Sequence, residues 1–205
     1  MSKKRIFYIL FFVVLVIGFF AALAAVIPGF SKPSLPPISR VEPFSFLNQD
    51  GKPVTDKDLQ GKVVAVNYFF TTCKGICPRM NNNIKKVYEQ FKNEPYFLLL
   101  SHTCDPANDS VGRLKHYADS MQVNTKRWVF LTGRKDSLYN MARFSYKIDD
   151  PANNLQSPED DFLHTQFVAL VNKKGEVIKI YDGLKPSELN QMADRIKEML
   201  KTPNP

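Results

Sequence analysis

Cysteine and glycine are scarce in this sequence, and their scarcity excludes several classes of protein. Three cysteines among 205 residues are too few for a scaffold held by disulfides or for a structural zinc site made of cysteine alone. Nine glycines without a fixed period exclude a collagen-like chain, and no internal repeat indicates a solenoid. Because 44% of the residues are hydrophobic and 23% are charged, the composition indicates one folded domain rather than a disordered chain.

The sequence also lacks a concentrated basic block, although its formal net charge is +8. Basic doublets are dispersed along the chain, at Lys85-Lys86, Lys126-Arg127, Arg134-Lys135 and Lys173-Lys174. None of them is interleaved with aromatic residues that could stack on bases, so nucleic acid is not an expected partner. This charge is typical of solvated surfaces near an anionic membrane.

A long uncharged segment follows the basic residues 3–5. It runs over 22 residues, from 6 to 27, and as a helix it would measure about 33 Å, roughly the thickness of the hydrocarbon core of a bilayer. The apolar region of a secretory signal peptide is shorter, about 7–15 residues. The sequence therefore predicts a membrane anchor over residues 1–27, although the small residues Ala22 and Ala24 leave later cleavage open.

The basic residues 3–5 also predict the orientation of the anchor. Positive charge beside a membrane helix favours the cytoplasmic side, so the rest of the chain is expected on the exported side. We predict a single-pass protein of the bacterial inner membrane, with its domain in the periplasm and lipid around its helix. Five prolines between residues 28 and 43 indicate a stiff, extended linker there, which leaves residues 44–205 for the soluble domain.

Apolar runs and helix-start signals alternate along the soluble part. Strands are predicted at residues 63–70, 96–101, 128–131, 165–171 and 177–181. Helices are predicted to begin near Pro78, at Asp109 or Ser110, at Asp136 and at Pro186, and a short hairpin is predicted at Asp50-Gly51. This order predicts an α/β domain of thioredoxin-like fold, with a central mixed sheet flanked by helices.

Two cysteines follow the first buried strand directly. Cys73 and Cys77 are four residues apart, with Cys77 expected just before the next helix, where the helix dipole and free N–H groups favour thiolate. Side chains four apart in a helix lie about 5–6 Å apart at Cβ, which suits two sulfurs on one metal ion. A thioredoxin-type oxidoreductase has two residues between its cysteines, whereas this motif has three. A structural disulfide or two buried thiols is the simpler alternative.

Two thiolates make a sparse metal site, and the three histidines are the candidates for a third ligand. His116 lies in a charged helical segment and is expected at the surface. His102 lies near the end of the second strand. His164 follows a long polar loop and begins the closing hairpin, at a point that faces the cysteine loop in a thioredoxin-like sheet. Two cysteines and one histidine form a soft donor set that suits copper.

These motifs resemble the Sco/SenC family of copper-handling proteins, over roughly residues 40–200. The family motif C-x-x-x-C-P is found at residues 73–78, and the family histidine ahead of a strand–turn–strand corresponds to His164. An Asp-Pro pair with a nearby aspartate, Asp105-Pro106 and Asp109, is a third match. An N-terminal membrane anchor with an exported domain is usual in this family.

The resemblance implies that Cys73, Cys77 and His164 bind copper as Cu(I), Cu(II) or both. It implies a membrane-anchored copper metallochaperone that assists assembly of the copper centre of cytochrome c oxidase, with subunit II or another copper-site protein as recipient. The alternative is a thiol–disulfide oxidoreductase that reduces the oxidase cysteines, in which Cys73 attacks and Cys77 resolves. A peroxidase whose cysteine is activated by Arg79 ranks last.

Cys104 departs from the family pattern, because an aliphatic residue typically stands at this position. Cys104 is predicted either to replace that aliphatic residue in the core or to act as an extra thiol that pairs with Cys73 or Cys77 and prevents metal binding. Met80 is predicted to lie in the core rather than to bind metal through its thioether.

Overall fold

The computed structural model describes residues 2–26, 36–150, 163 and 165–202. It divides the chain into two compact units, residues 1–36 and 37–205. Half of the predicted linker, most of the long polar loop and His164 lie outside the described residues.

The first unit contains one helix, α1, over Lys3–Val26. Its segment Lys3–Ala24 has a mean hydropathy of 3.0, so the helix is long and apolar enough to cross a membrane. Large hydrophobic side chains follow one another along the helix with no polar face, a pattern typical of a membrane span or of a fully buried helix. The predicted apolar helix is therefore present over nearly the expected residues.

The second unit is built on one mixed, eight-stranded sheet with the order β1-β8-β7-β4-β5-β6-β2-β3. Strands β4, β5 and β6 are parallel, and every other pairing is antiparallel. The strands are β1 Ser39–Arg40, β2 Ser45–Asn48, β3 Pro53–Thr55, β4 Val63–Phe69, β5 Phe97–Thr103, β6 Trp128–Thr132, β7 Phe167–Val171 and β8 Glu176–Asp182. This architecture confirms the predicted central mixed sheet, and the β2–β3 turn at Gly51 (φ +72°) confirms the predicted hairpin.

Helices connect and cover the strands. They are α2 Ile76–Phe91, α3 Val111–Met121, α4 Lys135–Asn140, which continues as a π-helical turn over Met141–Ser145, and α5 Pro186–Lys201; a short 3₁₀ helix spans Asp56–Leu59. The Ser110 hydroxyl accepts a hydrogen bond from the Arg113 N–H at 3.3 Å and caps α3, as predicted.

Two helix starts differ from prediction. α2 begins at Ile76 rather than at Pro78, because the first four N–H groups of a helix need no partner within it and proline fits anywhere in that turn. Cys77 therefore lies inside the first turn instead of before it. Arg134, not Asp136, is the N-cap residue of α4; Asp136 lies in the first turn, where its negative charge complements the helix dipole.

The core has two layers, one on each face of the sheet. Along β4, Val63, Ala65 and Phe69 pack into the layer under α2, α3 and α5, whereas Val64 and Tyr68 pack into the layer next to α4. A strand covered on both faces needs apolar residues at every position rather than alternate ones. This explains the largely apolar run that predicts β4, in which Asn67 is the one polar residue.

His102, on β5, is fully buried in the layer next to α4. Its ring stacks on Tyr68 with centroids 4.9 Å apart, and the rings of Phe46 and Tyr146 lie at 5.5 and 5.4 Å. Neither ring nitrogen has a hydrogen-bond partner among the described residues. Burial lowers the pKa of His102 to about 3, so this histidine is neutral in the folded protein at neutral pH.

Acid is expected to destabilise the fold through His102. Its folded-state pKa lies below the unfolded value of about 6.5, so the unfolded chain binds the proton more tightly, and stability falls as the pH drops from about 6.5 towards 3. The loss at pH 4.5 is roughly 3 kcal/mol. Denaturant unfolding of the wild type and of His102→Phe at pH 7 and 4.5 measures it. The variant should lose less stability than the wild type; equal losses would assign the effect to other groups.

Candidate metal centre

The loop between β4 and α2 brings Cys73 to the N-terminus of α2, where Cys77 lies in the first turn. Cys73 is partly buried and Cys77 is buried, and the N–H of Cys73 donates to the carbonyl of Phe70 at 3.2 Å. Gly75 is the N-cap residue and has no side chain with which to cap the helix. The N–H groups of the first turn therefore remain available to the Cys73 sulfur. Arg79 is exposed on the same helix.

The two thiols differ in acidity, and each one shifts the pKa of the other. Burial by itself raises the pKa of Cys73, but hydrogen bonds from the Cys77 side chain and from the backbone N–H groups of Cys77, Gly75 and Ile76 outweigh it and lower the pKa. Burial, together with the bond to Cys73, raises the pKa of Cys77 to about 12. Thiolate therefore forms first on Cys73, which is also the more exposed sulfur.

A buried carboxylate holds the base of this loop. Asp109 is fully buried and accepts hydrogen bonds from the N–H of Thr71 at 3.1 Å, from the Thr71 hydroxyl and from the Thr103 hydroxyl at 2.6 Å. The Thr71 hydroxyl in turn accepts from Arg113 Nε at 2.8 Å. These bonds fix the chain two residues before Cys73. The Asp-Pro motif draws attention to Asp109, but nothing in the sequence predicts its contact with Thr71.

Cys104 is buried at the end of β5, and all three cysteines are free thiols in this structure. Its N–H and its thiol both donate to the carbonyl of Phe69, at 2.9 and 3.1 Å. Burial raises the pKa of Cys104 well above its usual value, so the sulfur behaves as a small apolar side chain. This favours the first of the two predictions for Cys104. Met80 is fully buried in the core under α2, as predicted.

The histidines are divided by their surroundings. His102 is buried among aromatic rings in the core layer next to α4, and His116 is exposed on α3. His164 lies outside the described residues, but its neighbours Leu163 and Thr165 are described, and both are buried. Among the residues that the structure describes, no three His, Cys, Asp or Glu side chains form a group that could hold a metal ion.

The SCO1/SenC family model matches residues 34–201, which is most of the chain. The chain belongs to the SCO1/SenC family. Among its relatives is the SCO1 protein homolog of Bacillus subtilis (strain 168), which is 32% identical over 158 residues, or 77% of this chain and 81% of that protein.

Solved Sco structures share the thioredoxin-like fold. BsSco, a member of the Sco family of cytochrome c oxidase assembly proteins in which a disulfide switch was identified, is 30% identical with a TM-score of 0.68, covering 82% of this chain and 98% of that one. Yeast Sco1 with copper bound is 25% identical with a TM-score of 0.59, covering 85% of this chain and 97% of that one.

Proposed function

We propose that this SCO1/SenC chain is a membrane-anchored copper metallochaperone that serves the assembly of cytochrome c oxidase. The observation that carries the proposal is the pair of free thiols, Cys73 just before α2 and Cys77 in its first turn. Copper suits thiolate and imidazole ligands, and yeast Sco1 was solved with copper bound. Thiolate ligands hold Cu(I), and an added imidazole allows Cu(II) as well.

The ligand set in this proposal is Cys73, Cys77 and His164. The two cysteines find no further donor among the described residues, and a third ligand is therefore sought outside them. The match of His164 to the histidine of the family motif supports it as that ligand. Copper is the cargo, and it passes to subunit II of the oxidase or to another copper-site protein when ligands of the recipient replace those of this chain one at a time.

The proposed division into anchor, linker and domain is the one that the sequence predicts. Residues 1–27 anchor the protein in the bacterial inner membrane, residues 28–43 form a linker, and residues 44–205 form the copper-binding domain on the periplasmic side. The apolar helix α1 with basic residues at its start supports this orientation. Protease added to the outer face of spheroplasts should digest the domain, whereas full protection contradicts the orientation.

A second function, thiol–disulfide exchange, is favoured by the low pKa of Cys73 and by the disulfide switch identified in BsSco. The Cys73 thiolate would attack a disulfide of the oxidase copper site and release one of its sulfurs as a thiolate. The Cys77 thiol, losing its proton, would then attack Cys73 and release the second sulfur. Two electrons pass to the oxidase site, and this chain is left with a Cys73–Cys77 disulfide.

His164→Ala separates the two functions. If copper handling is the function, this variant should bind Cu(II) far more weakly than the wild type, because thiolates alone tend to reduce Cu(II) and form the disulfide. Oxidation and reduction of the Cys73–Cys77 pair should be unchanged. Cu(II) titration of the purified protein and oxidase activity in cells, with and without added copper, measure the effect.

The matched control is His116→Ala, which removes an exposed histidine from α3 and should behave as the wild type. Partial rescue of oxidase activity by copper in the His164→Ala strain supports the metallochaperone. If oxidase assembly survives His164→Ala but is abolished by Cys73→Ser, thiol exchange replaces copper handling as the function.

A further inference from the structure

We propose that Tyr139 is a positioning residue for the copper site: its hydroxyl group fixes the chain beside His164 relative to the strand that leads into the cysteine loop. This inference rests on the ligand set proposed above. It concerns a residue that does not touch the copper itself.

The Tyr139 hydroxyl bridges two segments that are far apart in sequence. Tyr139 lies on α4 and is only 3% exposed. Its hydroxyl donates to the carbonyl of Cys104 at 2.8 Å and accepts from the N–H of Leu163 at 3.2 Å. One buried oxygen therefore serves both a donor and an acceptor that would otherwise lack these partners.

Through Cys104, the Tyr139 hydroxyl is connected to the strand that precedes the cysteine loop. Cys104 donates through its N–H and its thiol to the carbonyl of Phe69, at 2.9 and 3.1 Å. Phe69 is the last residue of β4, four residues before Cys73. Cys104 thus joins the end of β5 to the end of the strand from which the loop begins.

The other hydrogen bond of the Tyr139 hydroxyl is with Leu163, the residue that precedes His164. Leu163 is 1% exposed, and its backbone is held by Tyr139. The residue after His164 is held as well, because the Thr165 hydroxyl donates to the carbonyl of Ile148 at 2.7 Å. Both neighbours of His164 are therefore bonded to the segment that begins with α4 and ends at Ile148.

The ring of Tyr139 is itself held in place. The Lys135 ammonium lies 5.2 Å from the ring centroid, and the Arg143 guanidinium lies at 5.4 Å, distances at which a cation is attracted to an aromatic face. Phenylalanine at this position keeps the volume and these ring contacts but loses both hydrogen bonds. The change is therefore expected to free the chain beside His164 without emptying the core.

The expected effect follows the chemistry of the two oxidation states. Groups that orient a metal ligand from outside the coordination sphere typically contribute 10- to 100-fold to affinity. Tyr139→Phe should weaken Cu(II) binding about tenfold, because Cu(II) depends on the imidazole. Cu(I), held by Cys73 and Cys77, should bind nearly as in the wild type.

Tyr68→Phe is the matched control. Tyr68, on β4, is also buried. Its hydroxyl donates at 2.7 Å to the carbonyl of Leu138, which lies on α4 beside Tyr139. Within the described part of the chain, the Tyr68 hydroxyl bonds to neither Leu163 nor Cys104. Its loss removes a comparable buried hydrogen bond but leaves the bridge intact.

The experiment compares full-length wild type, Tyr139→Phe, Tyr68→Phe and His164→Ala in detergent. It measures Cu(II) affinity by competition titration, the electron paramagnetic resonance spectrum of bound Cu(II), the reduction potential of the Cys73–Cys77 pair and the melting temperature. We expect Tyr139→Phe alone of the two tyrosine variants to weaken Cu(II) binding and to alter the Cu(II) spectrum, with the reduction potential unchanged.

The outcomes separate this inference from the proposed function. If Tyr139→Phe matches the wild type in affinity and spectrum while His164→Ala has lost Cu(II) binding, the positioning role is wrong and the ligand set stands. Equal weakening in both tyrosine variants makes Tyr139 a structural residue only and also overturns the inference. If His164→Ala binds Cu(II) as the wild type does, the ligand set is wrong and the inference falls with it.

Discussion

Replacing Cys73 and Cys77 together with serine is expected to abolish copper binding, from one ion per chain to none. Hydroxyl groups are hard, weakly acidic ligands, whereas copper prefers thiolate. The fold should survive, because serine is close to cysteine in size and only Cys77 of the two is buried. Copper titration followed by mass spectrometry of the intact protein measures the stoichiometry.

Cys104→Val is the control for this experiment. Cys104 is buried, and burial raises the pKa of its thiol, so valine should replace it without loss of copper. Stoichiometric binding that persists in the double serine variant contradicts the proposed site. Loss of copper from Cys104→Val, with the fold intact, would instead make the third thiol part of the site.

Asp109→Ala is expected to cost about 4 kcal/mol of unfolding free energy. A buried donor left without its acceptor costs about 1–3 kcal/mol, and more where the lost partner is charged. The substitution leaves the N–H and hydroxyl of Thr71 and the hydroxyl of Thr103 without their shared acceptor. Copper affinity should fall as well, because the chain that leads to Cys73 is released.

The comparison for this variant is Asp119→Ala, on the exposed side of α3. Asp119 makes a surface ion pair with Lys115 at 3.6 Å, and such pairs contribute about 0–1 kcal/mol. Urea unfolding of the three proteins gives both values. If the Asp109 variant is no less stable than the Asp119 variant, the hydrogen bonds of Asp109 do not hold the loop.

Local signals in the sequence account for what could be predicted. Four signals act within a few residues, so each is visible in the sequence. They are the largely apolar run of β4, the turn at Gly51, the cap at Ser110 and the proline of α5. The mixed sheet follows from the order of these elements. The cysteine pair is visible for the same reason, because its spacing and its position after a strand are local.

Contacts between distant residues account for what could not be predicted. Thr71 meets Asp109 across 38 residues, and Tyr139 meets Cys104 across 35. No periodicity or capping pattern encodes such pairs, because they exist only once the sheet has formed. The role of His164 as the third ligand remains a prediction.

The two edges of the sheet also bear on how this protein behaves at high concentration. β1 has only two residues, and β3 has three and begins with Pro53. Long, flat, exposed edge strands invite pairing with other chains, and short edges or proline prevent it. β1 and β3 themselves therefore offer little template for edge-to-edge aggregation. Because β1 pairs only with Glu176 and Val177, the rest of the seven-residue β8 extends beyond it and is the part of this edge at which another strand has room to add.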